Sequence, residues 1–98
     1  MHIEKIRESE KLTLKIEGRI DTKTAPELDE LVRTSLEGIS LLIMDLKDVA
    51  YISSAGLRVL LIAQKQMNKQ GKMKIINVSE DIMEIFEVTG FSDILTVE

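Results

Sequence analysis

Leu41-Leu42-Ile43-Met44 is apolar without a break, the pattern of a strand buried on both faces. About ten residues later Leu57, Leu60, Leu61 and Met67 recur at the spacing of a helix. Between them lies Ser53-Ser54-Ala55-Gly56, two hydroxyls and two small residues at a strand-to-helix turn. This strand, serine loop and helix restrict the chain to an α/β architecture. Hydroxyls at such a turn fall where backbone N–H groups lack intrahelical partners, and the helix end favours negative charge. Two roles are open there. Ser53 can be a plain N-cap, or a hydroxyl of the loop can carry a phosphate.

The flanking segments extend the pattern. Ile3 to Arg7 is a short strand candidate, and Glu8-Ser9-Glu10 a polar turn. Leu12, Leu14 and Ile16 alternate with Thr13, Lys15 and Glu17, so a half-buried strand should close a hairpin. Thr24-Ala25-Pro26-Glu27 reads as a capping box, with Thr24 at the N-cap. Ala25, Leu28, Leu31, Val32, Ser35 and Leu36 then trace one helical face, ended by Gly38. A strand over 40–45, the serine loop, and a helix to about Asn68 follow. Gly71 ends that unit, and residues 73–78 form another strand. Ser79 caps a short helix with Ile82, Ile85 and Phe86 inward and Gly90 at its end. Residues 91–97 are a last strand or turn. Right-handed crossovers and the opening hairpin predict a mixed, mostly parallel sheet of four to five strands. With no linker or repeat, residues 1–98 form a single domain.

Composition removes several function classes. Seventeen acidic against thirteen basic residues give a net charge of −4, which argues against nucleic acid as a partner. Without cysteine there is no disulfide, thiolate metal site or thiol nucleophile. No apolar run nears the ~20 residues of a membrane span and no signal peptide opens the chain, so a cytoplasmic location is expected. Ser54 sits in a nucleophile-elbow position, but Ile52 replaces the first glycine of that pattern. The only histidine, His2, is near the terminus, so Ser54 lacks a base and no enzyme activity is expected. The phosphate-binding loop pattern is absent, so ATP must come on a partner. Asp45 and Asp48 read as turn or capping residues, and neither a metal nor a cofactor is expected. Lys65, Lys69, Lys72 and Lys74 read as a solvated helix end.

The string from Asp45 to Leu61 resembles the signature of STAS domains, closest to the anti-sigma factor antagonists. Gly18-Arg19-Ile20-Asp21 resembles that family's Gly-x-Leu-Asp, and Phe86 to Gly90 resembles its Phe-x-x-Thr-Gly. Three motifs in order span the whole chain. The resemblance implies a partner switch that binds an anti-sigma factor with serine kinase activity and frees a sigma factor. Aligned on Gly56-Leu57, Ser54 is the implied phosphorylation site, and a phosphoserine phosphatase the implied second partner. Asp21, Ser53, Ser54, Ala55, Gly56, Leu57 and Arg58 are the implied partner-binding residues, with Asp21 beside the serine loop. Ser53, Ala55 and Arg58 depart from the Asp, Ser or Thr, and Gly often found there. A STAS scaffold without a phosphorylation cycle, such as a subunit on a transporter ATPase, is the alternative, and a Ser54 hydrolase a weaker one. Gly56 is expected to let a partner approach the backbone closely, so that Gly56→Val folds yet binds poorly.

Overall fold

A computed structural model describes all 98 residues. Strand β1 (His2–Glu8) turns back through Ser9, at φ 57°, into β2 (Lys11–Ile20). Helix α1 (Ala25–Ser35) leads to β3 (Leu41–Ile52), α2 (Ser54–Gln70) to β4 (Lys72–Ile76), and α3 (Glu80–Thr89) to a 3-10 turn over Phe91–Asp93. The sheet order is β1-β2-β3-β4, with β1 antiparallel to β2 and the other pairs parallel. The fifth strand shrinks to one bridge, Val97 beside Ile75.

Two right-handed crossovers that march the same way across a sheet place their helices on one face. The burial pattern agrees. Leu12, Leu14 and Ile16 of β2, Leu42, Met44 and Leu46 of β3, and Met73 and Ile75 of β4 are buried, whereas Lys11, Lys15 and Lys72 on the opposite face are exposed. Ala25, Leu28 and Val32 of α1 and Leu57, Leu60, Ala63 and Met67 of α2 complete that core. Helix α3 is anchored by Ile82 and Phe86, each almost fully buried. Its ends follow local chemistry. Ser79 Oγ accepts from Ile82 N at 3.3 Å, and Gly90 closes the helix at φ 81°.

Strand β3 runs seven residues beyond the Asp45 end read from the sequence. The reason is two register shifts against β2: Lys15 pairs with Asp45 but Glu17 with Asp48, and Gly18 pairs with Val49 but Arg19 with Tyr51. Each shift puts one extra residue into β3. A one-residue slip moves every later side chain to the other face, so the buried set steps from Leu46 to Val49 to Ile52. The apolar residues stay inward only because the strand bulges twice. Strand β4 stops opposite Asp45, so the last seven residues of β3 have β2 as their sole strand neighbour.

The expected capping box at Thr24 is not formed. Thr24 has helical angles and its hydroxyl makes no cap bond. That hydroxyl instead donates to Arg19 O at 2.8 Å and accepts from Asp21 N at 2.9 Å. Asp21 is the residue that caps, as its Oδ1 accepts from Lys23 N and Thr24 N at 3.0 and 3.1 Å. Its carbonyl takes Ala25 N at 2.8 Å.

The serine rim as candidate functional site

The parallel ends of β2 and β3 bring Asp21 and the serine loop to one rim. Ile20 pairs with Ile52, and Ser53 N donates to Ile20 O at 2.8 Å. Chain direction then turns sharply into α2. Ser53 holds extended angles and is the N-cap, its Oγ accepting from Gly56 N at a long 3.4 Å and its carbonyl from Leu57 N at 2.9 Å. Ser54 is the first helical residue, exposed, and its hydroxyl makes no hydrogen bond. The first turn of α2 carries no acidic residue, so nothing on the helix neutralises its positive end.

Of the expected partner-binding residues, Asp21, Ser53, Ser54, Ala55 and Arg58 reach the surface in whole or part. Gly56 and Leu57 do not. Leu57 belongs to the core at 5% exposure. A Cβ on Gly56 would stand 2.7 Å from both Ile20 Cγ2 and Ile52 Cγ1, and 3.1 Å from Ile20 O. The protein's own packing already requires glycine here, because α2 lies against the strand ends. The expectation that Gly56→Val folds normally is corrected accordingly: overpacking a filled core is destabilising.

Asp21 stands at the rim, but its carboxylate bonds to the turn that opens α1 and to neither serine. The Thr24 backbone N–H is the largest influence holding this carboxyl below its ordinary 3.8, joined by the Lys23 N–H, the Thr24 hydroxyl and the Arg19 charge; partial desolvation opposes them. Arg58 is exposed four residues after Ser54, on the same helical side, and forms no ion pair.

Two further residues belong to the rim. The Arg19 guanidinium lies 4.5 Å from the centre of the Tyr51 ring, and its Nε is 3.6 Å from Asp21 Oδ2. Tyr51, 40% exposed, is the one large apolar residue left open at this end. Alternation along the sequence could not pair them, since the second register shift is what sets Arg19 opposite Tyr51. The basic residues of the other end are not part of this site: Lys74 pairs with Glu98 at 3.3 Å, and Lys65, Lys69 and Lys72 are solvated. A cleft of about 810 Å³ also lies at the far end, between Val32, Leu36, Ile62 and Gln70.

The fold is thus a mixed four-stranded sheet with crossover helices and a capped serine turn at the strand ends. The model of that family matches residues 2–98, so this chain belongs to the STAS family, and within it to the anti-sigma factor antagonists. It is 40% identical over 88 residues to the anti-sigma-B factor antagonist of Bacillus subtilis, covering 88% of this chain and 80% of that one. An anti-sigma factor antagonist from Mycobacterium paratuberculosis superposes with a TM-score of 0.87 at 18% identity, covering 98% and 83% of the two chains. The Bacillus cell fate determinant SpoIIAA in its phosphorylated form superposes at 0.78 with 13% identity, covering 99% and 91%.

Proposed function

We propose that this chain is a phosphorylation-controlled antagonist that docks its serine rim onto an anti-sigma factor with serine kinase activity, releasing a sigma factor. The observation that carries the reading is the division of labour between the two serines. Ser53 is consumed as N-cap while Ser54 stands exposed and unbonded one residue on. The kinase brings ATP and Mg²⁺. Ser54 Oγ attacks the γ-phosphorus, its proton leaves to the kinase, and ADP departs. No base on this chain is placed for that role, since Asp21 is engaged in its own turn and His2 lies on β1, beyond β2. The phosphate adds roughly −1.5 to −2 charges at neutral pH inside what had been a packed interface. A coupling of about 1–3 kcal/mol then changes affinity ~5–150-fold, enough to exchange one partner for another. A phosphoserine phosphatase resets the switch.

The test is to mix the purified protein with purified kinase-type anti-sigma factors and ATP, then map the modified residue. Label should fall on Ser54; Ser54→Ala should bind without taking label, and Ser54→Asp should bind more weakly. Modification at Ser53 alone, or partner binding that Ser54→Asp leaves intact, defeats the reading.

A further inference from the structure

We propose that Arg19, stacked on Tyr51, is the side chain that receives a phosphate placed on Ser54. The inference rests on the phosphorylation reading above and adds a residue that the family signature does not supply. Three observations carry it. The Arg19 backbone is fixed, with its carbonyl taking the Thr24 hydroxyl at 2.8 Å and its Cα opposite Tyr51. Its side chain is 61% exposed and its Nη groups make no hydrogen bond; only Nε has an anion nearby, at 3.6 Å in Asp21. The next residue, Ile20, accepts the Ser53 amide, so the segments carrying Arg19 and Ser54 meet at one rim; Arg19 stands on the sheet face turned away from α2 and reaches the phosphate around the strand ends.

Arg19 is thus held by two weak contacts, a loose exposed ion pair and an exposed ring face. A dianionic phosphate with three acceptor oxygens offers a bidentate alternative that neither Asp21 nor Tyr51 can match. Asp21 cannot follow the guanidinium, because its Oδ1 is tied to Lys23 N and Thr24 N. The charges next along the chain from the two sides of this turn are Lys23 and Arg58, both exposed and neither ion-paired. Arg58 is the competitor. On transfer of the guanidinium to the phosphate, Tyr51 is uncovered, and the shape of the rim changes together with its charge.

The chain supplies its own reporter, because Tyr51 is its one tyrosine and it has no tryptophan. The experiment uses the 98-residue chain with phosphoserine encoded at position 54, so it requires no kinase and its outcome is separate from whether a kinase modifies Ser54. A phosphorus NMR titration should place the second phosphate pKa lower in the parent than in Arg19→Gln, by roughly half a unit at such an exposed site. Arg19→Lys, which keeps charge but loses the fork, should fall between them. Tyr51 emission should differ between the phosphorylated and unphosphorylated parent, and not in Arg19→Gln. A phosphate that titrates identically with and without Arg19 overturns the assignment, as does equal emission from the two parent forms. A shift abolished by Arg58→Gln alone overturns it in favour of Arg58.

Discussion

At the upper end of α2, Gly56 lies against Ile20 and Ile52; at its lower end, Gly71 lies against the Ser40 carbonyl. Both glycines let the helix touch a strand end without a side chain between. What surrounds them differs. Below, polar groups turn inward: Gln70 Nε2 donates to Leu36 O and Ile39 O, and Lys72 N to Ser40 O at 2.9 Å. Above, Ser53 and Asp21 complete the backbone bonds, while Ser54, Lys23 and Arg58 are left without a partner. The lower end closes the fold and the upper end displays unpartnered groups. A site that must change charge without unfolding the domain needs this separation.

The largest effects should come from the two glycines. Gly71→Ala drives a Cβ into backbone, which cannot rotate aside, and should cost about 3 kcal/mol or more in urea unfolding. Gly56→Ala meets mostly isoleucine methyls and should cost less, about 1–3 kcal/mol. The reverse order would break the parallel between the two ends. Next comes Gln70→Ala, which strips two carbonyls of their donor and should cost about 1–2 kcal/mol by the same measurement. The adjacent serines then sharpen the contrast within the rim. Ser53→Ala loses a cap, about 1 kcal/mol, whereas Ser54→Ala should lie within about 0.5 kcal/mol of the parent. Equal losses at the two serines would show that Ser54 is also structural.

The smallest expected effect is at Asp21. Its folded pKa lies below the ordinary 3.8, so its contribution is present above that value and is lost as pH falls through the folded value. Urea midpoints taken on the acid side should therefore fall less steeply in Asp21→Asn than in the parent. Parallel acid limbs would show that Asp21 does not stabilise the turn through its charge.

The hairpin, three helices and order of elements were legible because Leu12, Leu14 and Ile16, the α1 stripe and the α3 caps are local signals. The upper half of β3 was not. Lys47, Asp48, Ala50 and Tyr51 break every simple period, and only pairing with β2 decides which of them turn outward. Thr24 and Asp21 show a second limit. Both have oxygens suited to capping, and the choice depended on the Arg19 carbonyl, five residues before Thr24 in sequence. Gly56 shows a third, since a small residue reads alike whether a partner or the protein's own Ile20 fills the space above it.

The last seven residues of β3 outrun β4, and that asymmetry sets how the molecule breathes. Amides of Leu42 to Met44 sit between two strands and should exchange with solvent only on global unfolding. Those from Lys47 to Tyr51 are latched on one side alone, by β2. The segment that delivers Ser54 is therefore a lower-energy opening unit joined end to end with a higher-energy one. Such a strand can open and close at its upper half while the half beneath keeps its pairing on both sides.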